Sequence, residues 1–295
     1  MPNQSNLLGS LWMVSAGLIF VAVTIMVRHL GSEMPAVETA FIRYLFGLIL
    51  LIPIFMRLQW KRISRKHMHI YIVRGIAHGA AVMLWFFAMA RIPLAEVTAI
   101  SYSTPIFTSI GAIIIFGERI KSRRVMAILI GFIGMLIILR PGFREIQIGS
   151  FAQLSAAFFF SISFLFAKRL THSESSVDIL AMLTLFCTLA LLPGAIYFWQ
   201  TPSLLELGWL ALIAVFATSG HYAMTQAIAY APLTVTQPFA FLQLIWAIVF
   251  GYWLFDETPD VWVLVGAALI VGAISYMAHR DSLVTRQRAR AAASS

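Results

Sequence analysis

The chain has 295 residues, 60% of them hydrophobic and only 11% charged, with a mean hydropathy of +0.87. A water-soluble domain carries about a quarter charged residues, so a globule wetted on all sides is excluded. The net charge of +9 is explained by where the basic residues fall along the chain, and it calls for no nucleic acid.

Apolar runs nearly free of charge recur from end to end. In chain order they cover ten stretches, 7–27, 37–56, 70–90, 97–116, 125–139, 151–167, 177–199, 204–229, 235–255 and 261–278. A helix of about 20 residues crosses about 30 Å of hydrocarbon, and backbone in lipid must be paired within helices or a closed barrel. A barrel would alternate in segments of about 10 residues, a pattern these runs lack. The expectation is therefore an all-α polytopic membrane protein of ten transmembrane helices, spans 1 to 10. The first run reads as a retained span, because residues 1–6 hold no Lys or Arg and its 21 residues exceed a signal-peptide core. Cys187, the single cysteine, falls within span 7 and has no disulfide partner in the chain. No metal-ligand spacing, phosphate-binding glycine loop or nucleophile elbow occurs. No catalytic residue, metal or cofactor is assigned.

The basic residues alternate with the loops. The 2–3 loop holds Arg57, Lys61, Arg62, Arg65 and Lys66; the 4–5 loop holds Arg119, Lys121, Arg123 and Arg124. The 6–7 loop begins with Lys168 and Arg169, and the tail (279–295) carries Arg280, Arg286, Arg288 and Arg290. The other side has only Arg28, Arg91, Arg140 and Arg144. Lys and Arg accumulate in cytoplasmic loops, so both termini are expected in the cytoplasm.

Residues 88–94, AMARIPL, return 139 positions later as AIAYAPL (227–233). From Pro93 to Glu118 and from Pro232 to Glu257 the spacing is 25 in each case. Earlier in each half the offset is 140: Gly9-Ser10 answers Gly149-Ser150, Phe20 answers Phe160, Arg28 answers Lys168, and Pro53 answers Pro193. One residue of slippage over a half identifies a repeat of five spans, 7–140 and 149–278. Five is odd, so the second copy enters the membrane inverted. The loops agree: GERIKSRR (117–124) is strongly basic, whereas its counterpart DETPD (256–260) carries three acids and no base. Inverted repeats are the mark of secondary transporters, in which one repeat rocks against the other to expose a midplane site to each side in turn.

Each unit ends in a small residue, an alanine and Pro-Leu, then a proline-bearing span, then Gly-Glu or Asp-Glu before a glycine-dotted helix. Together with Arg43 in FIRYLFG of span 2, this resembles the drug/metabolite transporter superfamily and its EamA-type ten-helix carriers. The second copy departs at Leu183, where Arg43 has its counterpart. The resemblance implies a bacterial inner-membrane carrier, with spans 1, 3, 4, 6, 8 and 9 around a cavity and spans 5 and 10 outside. Within the family it leans toward exporters of aromatic and other neutral amino acids. An amino acid is thus the expected substrate, moved by alternating access. The alternative is a vitamin such as riboflavin or a nucleotide derivative such as S-adenosylmethionine, which a cavity rich in basic side chains would favour. A monomer suffices for either.

Ionisable and polar residues inside a bilayer are functional candidates by default. Arg43 could clamp a carboxylate or bridge to Glu38. His78 and Trp85 share a face of span 3, each seven residues apart, and His221, Tyr222 and Thr225 cluster in span 8. In span 4, Thr98, Tyr102, Pro105 and Ser109 form a stripe; in span 9, Thr236, Phe239, Gln243 and Trp246 form another, and span 6 offers Phe159 and Ser163. Each stripe is equally compatible with helix packing. The expectation places both histidines at the starts of their spans. Pro105 and Pro238 interrupt spans 4 and 9 and suit hinges, while Gly131, Gly134, Gly266 and Gly272 suit close helix contact. Every acidic residue falls in a loop or at a span end, which disfavours strong ion coupling.

Membrane-impermeant labelling of cysteines placed in the two loops tests the inversion. Residues 117–124 and 256–260 should label from opposite compartments; labelling from one compartment would remove it.

Overall fold

The computed structural model describes residues 6–31, 33–57, 67–116, 122–141, 145–170, 174, 176–231, 236, 239, 241–258, 260–273 and 275–276. The expected basic segments 58–66, 117–121 and 277–295 lie outside the described residues, as do Pro238 and the Thr225 side chain. The described residues form helices and no β-strand. These are α1 (Asn6–Leu30), α2 (Ala36–Leu50), α3 (Ile52–Arg57), α4 (Met68–Met89), α5 (Leu94–Ser101), α6 (Thr104–Phe116), α7 (Ser122–Leu139), α8 (Ile148–Leu170), α9 (Ser176–Tyr197), α10 (Leu204–Tyr230), α11 (Leu242–Phe255) and α12 (Val261–Ala273).

Among the described residues six stretches are long and apolar enough to cross a bilayer: Leu7–Leu30, Met68–Met89, Leu94–Ile115, Ile148–Leu170, Asp178–Tyr197 and Leu204–Met224. They coincide with spans 1, 3, 4, 6, 7 and 8. Spans 2, 5, 9 and 10 take shape as shorter apolar helices, α2 with 15 residues among them. Proline and serine set the starts. Pro35 and Pro93 precede α2 and α5, where a missing N–H costs nothing. Before α10, the Ser203 hydroxyl accepts the Glu206 N–H at 3.2 Å while Glu206 accepts the Ser203 N–H at 2.6 Å, a capping box worth about 1 kcal/mol.

Span 4 is two helices. Pro105 has no N–H to offer the Ser101 carbonyl and disfavours a helical Thr104. The chain tightens first, with Tyr102 N–H on Ala99 O and Ser103 N–H on Ile100 O, and restarts as α6. The Ser101 hydroxyl accepts a hydrogen bond from Gln153 Nε2 of α8 at 2.8 Å, which fixes the break against the neighbouring helix.

Water could not solvate the outer faces. On α7 the side chains of Met126, Leu129, Phe132, Ile133 and Leu136 are all exposed, a continuous apolar stripe at helical spacing. Exposed Tyr197, Phe198 and Trp199 end α9, Tyr252 and Trp253 end α11, and Trp262 begins α12. Such amphipathic rings gather at the membrane–water boundary, here at the face expected to be external.

Contacts run in a closed ring from α1 to α11, α5, α8, α4, α2, α10 and back to α1. The ring contains the spans that the resemblance implied and adds α2. α9 braces α2 and α4 from outside, and α7 lies against α5 and α6. The most extensive contacts are α1 with α10 and α4 with α8, which are equivalents under the repeat register. Their glycines are equivalents too: a Cβ at Gly9 would strike Ala231, and one at Gly149 would lie 2.7 Å from Ile92 Cγ2. α7 and α12 meet backbone to backbone, a Cβ on Gly134 falling 2.7 Å from the Gly266 carbonyl, whereas Gly272 has nothing within 4 Å.

Gly134→Leu should therefore lower the thermal unfolding midpoint in detergent by several degrees, about 1–3 kcal/mol of overpacking, and Gly272→Leu should not. Equal effects would show that the α7–α12 contact is not what Gly134 serves.

Candidate functional site

The inside of the ring is polar and aromatic, and α4 supplies its axis. Arg74, His78 and Trp85, at i, i+4 and i+11, lie on one helical face. His78 is the eleventh residue of a 22-residue helix and His221 the eighteenth of a 27-residue one. Both histidines are thus well inside their helices, and the expected placement at span starts is corrected. Buried His78 meets the Ser163 hydroxyl of α8 through Nδ1 at 3.1 Å. The Phe160 ring sits edge-on to it at 5.2 Å, and Tyr44 of α2 closes another side at 6.2 Å. Trp85 continues the wall, 6.3 Å from Phe160. Across the ring His221 of α10 packs edge-on against Phe20 of α1, again at 5.2 Å. Phe20 and Phe160 are repeat equivalents, so each repeat's first helix presents a phenylalanine to a histidine of the other repeat's third.

Two arginines stand beside these histidines. The Arg43 guanidinium lies 4.1 Å over the Tyr44 ring, a cation–π contact. Arg74 is only 7% exposed; its Nη1 donates to the Ile179 carbonyl at 3.0 Å, while its Nε is buried without a hydrogen-bond partner among the described residues. Gly75 makes this reach possible, because any Cβ there would collide with Phe186, so α9 presses directly on α4. Both arginines are charge neighbours of both histidines. Among the described residues neither arginine is in an ion pair. The Arg43–Glu38 bridge does not form: Glu38 accepts the Gln200 N–H at 3.0 Å instead.

Above this centre, Tyr102 at the α5–α6 break meets Phe241 at the head of α11, ring centroids 5.3 Å apart and perpendicular. The two residues are 139 positions apart, hence equivalents of one another. The Tyr102 hydroxyl is buried and has no hydrogen-bond partner among the described residues.

One end of the ring is bridged by charged and polar contacts. Arg28, at the end of α1, donates to the Met89 and Ile92 carbonyls at 3.1 and 3.2 Å and pairs with Glu257 at 3.1 Å. Glu257 also accepts the Leu94 N–H at 2.8 Å, at the start of α5. Burial holds its carboxyl above the ordinary carboxylate range, against the opposing pull of the Leu94 N–H and Arg28. Nearby, Arg140 pairs with Asp260, and the Ser150 hydroxyl donates to Glu96 at 2.6 Å. A small cavity of about 30 Å³ lies beneath, lined by Pro93, Glu96, Ala247, Gly251 and Glu257 among others.

The remaining candidates take local roles. Thr98 turns its hydroxyl onto the Leu94 carbonyl of its own helix, and Ser109 is buried in α6. Gln243 lies against Gly17 of α1 at 3.8 Å, Trp246 buries its indole N–H without a partner among the described residues, and Phe239 is 36% exposed. Tyr222 is 58% exposed and packs edge-on to Trp12. Phe159 contacts Phe158, leaving Phe160 to face His78. The spacing argument missed Arg74, Tyr44, Phe160 and the Arg28–Glu257 pair. Arg74 had a usable signal, standing four residues before His78 on the same face.

The chain matches the EamA-like transporter family over residues 7–140 and 147–278. It is similar to an S-adenosylmethionine uptake transporter of Rickettsia bellii, 26% identical over 273 residues, 92% of this chain and 93% of that protein. It is also similar to a riboflavin transporter of Brucella anthropi, 29% identical over 283 residues, 93% and 99% of the two chains. A pseudopaline exporter of Pseudomonas aeruginosa is 26% identical over 267 residues, 90% and 94%. A solved structure described only as a protein crystal structure superposes with a TM-score of 0.59 at 18% identity, covering 92% of this chain and 98% of its own, which shows a shared fold. With both halves matched almost end to end around a polar centre enclosed by apolar helices, the chain belongs to the EamA-like transporter family and is a multi-pass membrane transporter, not an enzyme.

Proposed function

We infer that the protein is a bacterial inner-membrane carrier that moves a small organic metabolite by alternating access. Ten spans fold as two inverted five-helix repeats, 7–140 and 149–278, with both termini and the basic tail on the cytoplasmic side. The observation that carries this reading is the Tyr102–Phe241 contact at 5.3 Å. Two equivalent residues touch each other only where a two-fold axis passes between them. The paired Phe–His contacts and the paired Gly9 and Gly149 approaches support the same axis. Such symmetry supplies two states of similar energy, open to opposite sides.

The substrate reading shifts from a simple amino acid to a larger metabolite, of the kind named for the relatives: S-adenosylmethionine or a vitamin such as riboflavin. A strongly basic cavity was the sequence criterion for that alternative, and Arg74 adds to Arg43, His78 and His221. Phe160, Trp85 and Tyr44 offer flat faces for a heterocycle. Among the described residues the two buried acids in helices, Glu38 and Glu96, stand in first turns and accept hydrogen bonds from Gln200 N and the Ser150 hydroxyl. This supports facilitated diffusion or exchange.

Counterflow in proteoliposomes tests the reading. Labelled S-adenosylmethionine or riboflavin should accumulate against its unlabelled form and saturate, with phenylalanine exchanged weakly. Exchange confined to phenylalanine-type solutes would return the reading to amino-acid export, and exchange of no metabolite would contradict a carrier.

A further inference from the structure

We propose that Arg74, seconded by Arg43, anchors a carboxylate of the transported metabolite, so that the carrier selects solutes bearing one. The proposal rests on the carrier reading above and narrows its substrate, favouring S-adenosylmethionine, which keeps an amino-acid carboxylate, over riboflavin, which has none.

A guanidinium presents two hydrogen-bonding edges. Arg74 spends Nη1 on the Ile179 carbonyl at 3.0 Å, and this single bond sets the plane of the group. The other edge is formed by Nε and Nη2, and Nε is buried without a partner among the described residues. A buried donor left unmet is destabilising, the more so when charged, and a native structure retains such a group only for a reason. Parallel N–H groups of that edge match the two oxygens of a carboxylate.

The electrostatics point the same way. Arg43 and Arg74 sit with His78 and His221, and among the described residues no carboxylate forms an ion pair with either arginine. Glu38 accepts Gln200 N through one oxygen, and Glu174 holds His67 at 2.9 Å. Tyr44, Tyr71 and Cys187 are the electrostatic neighbours of Arg74, polar but not carboxylates. Opposite charges attract more strongly in a partly buried site than in water. An incoming anion therefore gains what no side chain supplies. Position completes the case: four residues on from Arg74 along one face comes His78, and beyond it Trp85 with Phe160. A solute held by its carboxylate would lay its apolar or aromatic part along these rings. A lipid headgroup fits less well, because the exposed large apolar residues of this helix, Ile72, Val73 and Ile76, lie on its other face.

The test is ligand-induced thermal stabilisation of the purified protein in detergent. The probes are two matched pairs, S-adenosylmethionine with its decarboxylated analogue, and phenylalanine with phenethylamine; phosphatidylglycerol is a separate arm. The carboxylate member of at least one pair should stabilise at a tenfold or greater lower concentration than its partner. Arg74→Gln should erase that difference, Arg74→Lys should restore part of it as a point charge without a fork, and Arg43→Gln should reduce it. Equal action of both members of each pair, or discrimination surviving Arg74→Gln, would overturn the anchor. So would Arg74-dependent stabilisation by phosphatidylglycerol alone, which would assign the site to lipid. Saturable counterflow of riboflavin unaffected by Arg74→Gln would overturn the anchor and leave the carrier reading standing. Stabilisation by no probe, with no counterflow, would sink both.

Discussion

Hydrocarbon does not solvate a guanidinium. Placing an arginine in a spanning helix costs up to about 2.5–3.5 kcal/mol, the value for its centre on insertion scales, and this chain places two within helices beside two histidines. Carbonyls and rings of the bundle must replace water. A hydrogen bond to a charged donor recovers about 1.5–3 kcal/mol, and a desolvated cation–π contact about 2 kcal/mol. Ile179 O for Arg74 and the Tyr44 ring for Arg43 thus come close to offsetting the cost. The Arg74 bond depends on α9 lying hard against α4, which the absence of a side chain at Gly75 permits. The polar interior of the ring keeps those charges away from lipid.

The repeat explains why the same contacts recur in pairs, and the departures from it make the two halves unlike. Phe20 with His221 and Phe160 with His78 share a 5.2 Å edge-on geometry, yet the histidines themselves are not at equivalent positions. Arg43 faces Leu183 across the register, so the basic centre belongs mainly to the first repeat. At the ends, Arg28 answers Lys168. A guanidinium can hold Met89 O, Ile92 O and Glu257 together, where an ammonium would be a poorer clamp. A symmetric frame carrying asymmetric charge is what a carrier needs if its two faces are to differ.

Much of this was legible in the residues. The apolar runs, the 139–140 register and Pro105 foretold the helices, the repeat and the broken span, and His78 and Ser163, chosen separately, meet at 3.1 Å. Other features were hidden for physical reasons. A single Arg74 does not interrupt an apolar run, so hydropathy passes over it. Three consecutive phenylalanines, 158–160, differ by about 100° of helix phase each, and spacing alone does not choose the one that faces inward. Arg43 and Glu38 are five apart, about 140° around the helix, which sends them to different neighbours. The Arg28–Glu257 tie joins residues more than two hundred positions apart, which no local pattern reveals.

The central claim is that the charged centre is a passage reached from one side at a time, with the Arg28–Glu257 tie closing one of them. The direct measurement is the rate at which an impermeant maleimide reaches Ser163→Cys in a Cys187→Ala background, applied from each side of oriented vesicles. The account predicts labelling from the side away from the tie, with Glu257→Gln adding several-fold faster labelling from the side of the tie. A cysteine that labels from neither side, or equally from both regardless of Glu257, would contradict it.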